Sequence, residues 1–504
     1  MRLKTHCCLL VCFLAAAAFG QTGTNSYRSL SLADCIQTAL LHNRDIQIER
    51  FSPVIARLTL DGAYGYYDPT LSAETRHGYN SSSGSYNSTI GTPLPGVTDE
   101  SYSANAGVTG TGPFGMTYSV SGSYVNDFGS RSGNPLESFG TGTGISVTQP
   151  LLKNSWIDQG RMTIQVNKQN LKYSKYGVDF VVMNTISQVQ QAYYELIFSH
   201  ENVRVTEKLL TIRQRFYSET KRKVEVGALP PLDEQLALSQ VAKVQADLIS
   251  ARNAVELSQN VLKTLMGDDF VSSVGMVLLP SDALLVVPEP INLAESWRMG
   301  LSKRPDLAQL KVNLDIASIT VKYDFNQLFP ALNFVASYKL SGNSTLSSNS
   351  PASATDTLTQ IRAGENPTDM IGVLFSMPLT KTADRANYKI SKESKAKAAI
   401  QVKKLEELVL RQIDDATKNV RTSLESVAAT RQATGYAQAA LDAEEKKLAA
   451  GKSTPYVVLA LQGDLASAQT AEIRAKVNYN EALSQLHFSE GTAMERSKVS
   501  VEFK

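Results

Sequence analysis

The chain has 504 residues, 42% of them hydrophobic, and carries 50 basic against 48 acidic residues. That balance leaves no basic field for nucleic acid and no acidic interaction tail. The length allows either two or more ordinary domains or one elongated repeat architecture.

The N-terminus reads as a secretory signal peptide over residues 1–20. Arg2 and Lys4 precede the apolar run Cys7 to Phe19, and "AAAAFG" places small residues before Gln21. A membrane-spanning helix needs about 20 apolar residues, which this run does not reach. Removing it takes the basic count from 50 to 48, so the mature chain carries 48 charges of each sign. Cys7, Cys8 and Cys12 leave with the signal, and Cys35 stays. A lone cysteine makes no intramolecular disulfide or cysteine metal cluster, so Cys35 is expected as a small buried residue on the first helix. Val11 is not small and Asp34 is charged, so neither Cys12 nor Cys35 follows a lipid-attachment box and a lipid anchor is disfavoured. No later segment has about 18 uninterrupted apolar residues. If the exported chain enters a membrane, it must do so as a β-barrel.

A short helix comes next, with Leu32, Ile36 and Leu40 on one face. Period-2 alternation then marks strands. In "TLSAETRHGYN" (70–80), Leu71, Ala73, Thr75 and Tyr79 alternate with Ser72, Glu74, Arg76 and Asn80. "SSSGSYNSTIGTPLPG" (81–96) is too polar to bury a core and is expected as a mobile, solvated loop. "GVTGTGPFGMTYSVSGSY" (107–124) reads as an extra hairpin turning near Gly112 and Pro113, and its place in a barrel wall is open. "GISVTQPL" (144–151) is a further strand, with Ile145, Val147 and Leu151 on one side.

From Met162 to Val226 there is no proline, and Val182, Ile186, Val189, Tyr193 and Leu196 step by 4 and 3. Those 65 residues form roughly 100 Å of helix at the α-helical rise. After an interruption, Val241, Val244, Leu248, Ala251, Val255, Ser258, Leu262 and Leu265 continue the 3/4 spacing of a coiled-coil seam.

The plan then repeats. "LADCIQTALLHNRDIQ" from Leu32 matches "LAESWRMGLSKRPDLAQ" from Leu293 at an offset of 261, which also carries Pro69 onto Pro330. "GISVTQPL" matches "GVLFSMPL" (372–379) at 228, and Gly227 to Gly267 aligns with Gly451 to Gly491 at 224. The extra hairpin accounts for the drift. The second copy has strands in "ALNFVASYKL" (331–340) and "DMIGVLFSMPL", with the polar stretch 341–360 expected as a mobile loop between them. Its helical stripes are Val402, Leu405, Val409, Ala416 and Val420, then Val458, Leu461, Leu465, Ala475 and Tyr479. The expected organisation is a first repeat over 21–280, a second over 281–495 and a polar tail over 496–504.

The two interruptions, "KVEVGALPPLDEQLAL" (223–238) and "KLAAGKSTPYVVLALQ" (447–462), are the turns of long helical hairpins, near 227–231 and 451–455. Gly227 and Gly451 suit a helix C-terminus. Pro231 and Pro455 suit the first turn of the returning helix. Turn geometry explains these residues but not the apolar Ala228, Leu229 and Pro230 at an exposed tip, which hint at a partner. Four core strands per chain cannot enclose a channel, because even an eight-strand barrel is filled by side chains. Cyclic association follows, with three copies as the simplest closure.

The signal peptide, "SLADCIQTALLHNRDIQ", "VTQPLLKN" and the run from Val226 to Gly267, with their second-half echoes, resemble the TolC-like outer-membrane efflux family. The resemblance covers nearly the whole mature chain. It implies an α+β membrane protein: a homotrimeric outer-membrane β-barrel, in contact with lipid, continued by a long periplasmic α-helical coiled-coil barrel. It also implies an exit duct of a tripartite efflux or type I secretion system, working with a periplasmic adaptor and an inner-membrane transporter. It implies no cofactor. Asp233 stands where the family commonly has an acidic gate residue, six positions after the first tip glycine, and Lys452 is a candidate basic partner. A bland alternative for Asp233 is charge stabilisation at a helix N-terminus. Ser453 stands where the best-known member has its arginine, and Val457 and Ala460 stand where that member has acidic residues. An acidic ring at the aperture is therefore not expected. The tip residues Gly227, Ala228, Leu229, Pro230, Pro231, Gly451, Ser453 and Pro455 are the adaptor-docking candidates.

The alternative from another class is a secreted or surface coiled-coil structural or adhesion protein without transport activity. An enzyme is not expected: His42, His77, His200 and His487 have no metal-ligand spacing, and no serine sits in a nucleophile elbow.

Overall fold

The structure, a computed structural model, describes residues 27–497 apart from 88, 90, 132, 133, 274 and 349. The expected signal peptide and residues 498–504 of the expected tail lie outside the described residues. The described residues begin with β1 (Tyr27–Leu30), α1 (Leu32–His42), α2 (Arg44–Glu49) and α3 (Phe51–Ala63). Strands β2 (Thr70–Ser82), β3 (Ser85–Asn87), β4 (Thr92–Leu94), β5 (Val97–Thr111), β6 (Thr117–Arg131) and β7 (Asn134–Pro150) follow. The long helices α4 (Gln159–Glu225) and α5 (Pro231–Met266) come next, then α6 (Phe270–Ser273), β8 (Val277–Pro280), α7 (Leu293–Lys303) and α8 (Pro305–Gln327). The rest is β9 (Ala331–Thr345), α9 (Ala354–Ala363), β10 (Pro367–Ser376), α10 (Thr382–Ala449), α11 (Pro455–Glu490) and α12 (Ala493–Arg496). Among the described residues no helix is long and apolar enough to cross a membrane.

The chain forms two compact units, each drawing on both of its halves. The hairpin unit takes the described residues of 1–44 together with 185–290 and 418–485. Its core is the predicted seam: Ile186, Val189, Tyr193 and Leu196 of α4 and Val241, Val244, Leu248, Ala251, Val255 and Leu262 of α5 are all buried. Each buried valine, leucine or isoleucine contributes about 1.5–3 kcal/mol of transfer free energy. In α11, Val458, Leu465, Ala475 and Tyr479 are buried too. β1 and β8 pair in parallel, with Leu30 opposite Pro280. The Tyr193 hydroxyl lies 3.1 Å from the Leu30 carbonyl and 2.9 Å from an Asp282 carboxylate oxygen, which also accepts from the Leu32 amide at 2.7 Å. Ser31 and Asp34 cap α1 reciprocally. Cys35 is fully buried on that helix, and burial pushes its thiol up to about 12.

The sheet unit takes 45–184, 291–417 and the described residues from 486 onward. Its six strands run in the order β10-β9-β7-β6-β5-β2, every neighbouring pair antiparallel. The hairpin expected over 107–124 is present, and the two stretches expected as loops change. The 107–124 stretch forms the facing ends of β5 and β6, turning at residues 112–116, and both strands belong to the main sheet. The stretch 341–360 is not a loop throughout: β9 runs to Thr345 and α9 starts at Ala354. Gly342 makes this packing feasible, because a Cβ there would lie 2.2 Å from the Thr357 carbonyl oxygen of α9. Gln360 then clamps the strand, accepting from the Asn343 amide at 2.9 Å and donating to its carbonyl at 3.2 Å. Polar composition hid the helix, since side chain to backbone bonds take the place of an apolar stripe. The residues 81–96 likewise hold the end of β2 and a small β3–β4 hairpin.

Candidate functional site

The tips of the two hairpins, both in the hairpin unit, are built alike. Gly227 ends α4 at φ +74°, and Gly451 ends α10 at φ +71°. The left-handed turn lets the next amide reach back: Ala228 N–H bonds the Lys223 carbonyl at 2.8 Å, and Lys452 N–H bonds the Lys447 carbonyl at 2.8 Å. Pro231 and Pro455 each open the returning helix, where no N–H is needed. The Asp233 amide bonds the Pro230 carbonyl at 3.0 Å, and Asp233 and Glu234 place two carboxylates in the first turn of α5.

The side chains diverge from a uniform apolar tip. Ala228 and Pro230 are exposed, as are Gly451 and Lys452. Leu229 is half-buried and lines a groove of about 350 Å³ with Phe216, Leu441, Leu448, Pro455 and Val458. The groove brings Leu229 of one hairpin and Pro455 of the other to one place. The apolar exposure at the tips is carried instead by Val226 (74%), Leu232 (76%) and Tyr456 (67%), none of which was singled out from the sequence. Their signal was available: Leu232 and Tyr456 each follow the proline that opens a helix, too early in the turn to reach the seam.

Asp233 is half-buried and Lys452 exposed. At the second tip the ionic contacts centre on Glu444, which sequence reasoning missed. Ser453 donates to its carboxylate at 2.5 Å and Lys447 at 2.8 Å. The Lys447 and Ser453 bonds hold the Glu444 carboxyl below its usual range. At the first tip, the Tyr217 hydroxyl lies 3.4 Å from a Glu234 carboxylate oxygen.

Below the tips, charged groups tie the hairpins together. Arg213 of α4 is 5% exposed and donates to the Leu459 carbonyl at 2.7 Å and to Gln462 at 3.4 Å. Its Nε has no hydrogen-bond partner, and burial lowers its proton affinity. Arg474 of α11 grips both Glu195 oxygens at 2.5 and 3.1 Å and lies 3.5 Å over the Phe198 ring. His200 places a ring nitrogen 3.1 Å from the Leu278 carbonyl. Among the described residues no group of three or more His, Cys, Asp and Glu could hold a metal ion.

A family model described as outer membrane efflux protein matches residues 118–268 and 298–492. The outer membrane protein TolC of Escherichia coli is 23% identical over 364 residues, covering 71% of this chain and 70% of that protein. The outer membrane efflux protein BepC of Brucella suis is 25% identical over 365 residues, covering 71% and 73%. Among solved structures, the Campylobacter jejuni CmeC outer membrane channel superposes with a TM-score of 0.67 at 14% identity, covering 94% of this chain and 90% of that one. The outer membrane protein VceC of Vibrio cholerae gives 0.64 at 16% identity, covering 91% and 96%. These two likenesses carry the fold.

Proposed function

The chain belongs to the outer membrane efflux protein family, and from that premise we propose that it is the exit duct of a tripartite efflux or type I secretion system. In this reading three copies close an outer-membrane β-barrel, continued into the periplasm by helical hairpins. Each chain holds two structural repeats, 21–280 and 281–495. An inner-membrane transporter supplies the substrate and a periplasmic adaptor docks at the hairpin tips. Asp233 and Lys452 belong to the gate at the periplasmic end.

The observation that carries the reading is the pair of open sheet edges. β2 and β10 each pair on one side alone, and all thirteen residues of β2 are exposed. Unpaired backbone groups are not tolerated in a lipid environment, where each costs several kcal/mol. A β10 edge of one copy laid against a β2 edge of the next removes both liabilities and closes the wall.

Light scattering of the purified protein and conductance in planar bilayers test this together. Trimers with discrete channel openings are expected. A monodisperse monomer without conductance would overturn the proposal.

A further inference from the structure

Two of the six strands, β5 and β6, hold the stretch that read as an extra hairpin, and both are inner strands of the sheet. We infer that all six strands of each chain face lipid, so that three copies close an eighteen-stranded barrel rather than a twelve-stranded one. This rests on the cyclic closure proposed above.

The ladders are the first support. β5 pairs with β2 along the whole of Thr70–Ser82 and with β6 from Thr98 to Thr111, and β6 pairs with β7 from Thr117 to Arg131. β2 and β7 therefore never touch as neighbours, and the hairpin cannot be a lobe lying outside a wall that closes without it. Each of β5 and β6 has 15 residues, more than the roughly 9–11 that a tilted strand needs to cross a bilayer.

The register is the second. Leu71, Val108, Val120, Ile145 and Tyr338 lie side by side across five strands. Three residues along, on the opposite face, a row reads Glu74, Asn105, Ser123, Gly142 and Ser341. Residues directly opposite in an antiparallel ladder share a face. Along these rows one face carries large apolar side chains and the other polar or small ones, and the pattern runs through β5 and β6 without a break. Leu71, Val120, Ile145 and Tyr338 are exposed at 75%, 46%, 48% and 47%, an apolar surface that lipid chains would cover.

Aromatic contacts are the third. His77 of β2 stacks on Tyr102 of β5 at 4.4 Å, and Tyr102 on Phe128 of β6 at 5.7 Å. Tyr124 of β6 and Phe139 of β7 follow at 6.4 Å. All lie on the apolar face, toward one end of the strands, where an outer-membrane barrel carries an interfacial aromatic girdle.

Barrel diameter grows roughly linearly with strand number, so eighteen strands give a bore about half as wide again as twelve, in the range of water-filled porins. The duct would then discharge solutes through a wall wider than four strands per chain allow.

Cys35 is sealed from reagents, so single-cysteine labelling is clean. Nitroxide labels at Ala104→Cys and Val120→Cys, and separately at Asn105→Cys and Ser123→Cys, are placed in the mature protein, without Cys7, Cys8 and Cys12, reconstituted in phospholipid vesicles. Collisions with oxygen should dominate at positions 104 and 120, and collisions with a water-soluble nickel chelate at 105 and 123. Nickel access at all four positions overturns the inference. Cryo-electron microscopy of the oligomer in nanodiscs gives the independent readout. Six wall strands per copy support the inference whatever the copy number, whereas a copy number other than three overturns the trimer alone. Four wall strands per copy, with β5 and β6 displaced, overturns the inference and leaves the trimer standing.

Discussion

The main-chain oxygen of His42 stands 2.1 Å from where a Cβ on Gly267 would be, and Gly267 holds φ at +74°. The glycine that ends α5 therefore sits directly on the carbonyl that ends α1. In the sheet unit, Gly491, which ends α11 at φ +74°, sits in the same way on Lys303 at the end of α7, with a Cβ-to-oxygen distance of 3.1 Å. Gly267→Ala should cost about 2–4 kcal/mol, combining left-handed strain with a forced backbone shift. Gly227→Ala, whose Cβ would meet nothing within 4 Å, should cost only about 1–2 kcal/mol of strain. Thermal unfolding of the two variants compares them, and equal losses would refute the packing account.

Arg213 is buried without a partner for its Nε, so its volume should matter more than its charge. Arg213→Ala leaves a cavity and an unmet carbonyl and should cost about 2–4 kcal/mol. Arg213→Met fills the space and should cost less than half of that, because a desolvated guanidinium is removed as well. A methionine variant as unstable as the alanine one, by denaturant midpoint, would show that the guanidinium itself holds α11.

The second tip should loosen in acid. Glu444 has its carboxyl lowered from an ordinary 4.5 by Lys447 and Ser453. Its contribution is thus complete above the ordinary value and is lost as pH falls through the lowered one. The protection of the amides at residues 451–454, relative to their intrinsic exchange at each pH, should fall as pH drops through that range in the native chain. In Glu444→Gln that protection should already be low at neutral pH and unchanged by acid. A pH-independent native tip would remove Glu444 from the account.

Asp233, proposed for the gate, predicts a larger channel. Asp233→Ala should raise single-channel conductance in planar bilayers, and unchanged conductance would discard the role. The bland alternative, a carboxylate at the α5 N-terminus, predicts only a small stability loss of about 0.3–1 kcal/mol.

For docking, Leu232 separates better than Leu229. Leu232 is 76% exposed, so Leu232→Asp should leave folding and trimers intact while abolishing export. Leu229→Asp places a charge in the groove beside Pro455 and should also loosen the tips. Full export with Leu232→Asp would exclude this surface.

The long helices were legible because their apolar residues repeat every three or four positions and few competing signals interrupt them. Val241 to Leu262 reads straight from sequence to buried seam. The turns were equally plain, since Gly227, Gly451, Pro231 and Pro455 each have a backbone reason. Glu444 was not legible: its partners lie three and nine residues on, and only the turn at Gly451 folds Ser453 back onto it. α9 and the full length of β5 and β6 were hidden because serine, threonine and glycine suit strands, loops and caps alike. Register, not composition, reveals which face of each strand is apolar.

The β1–β8 ladder has a kinetic consequence. It joins Tyr27 to Val277 and Leu30 to Pro280, so a loop of some 250 residues must close before it forms. Loop closure is paid before the contacts return anything, and such non-local parallel pairing is slow. The first strand among the described residues is thus among the last to be secured. Until Asp282 arrives to hold Leu32 and Tyr193, α1 lacks its N-terminal anchor.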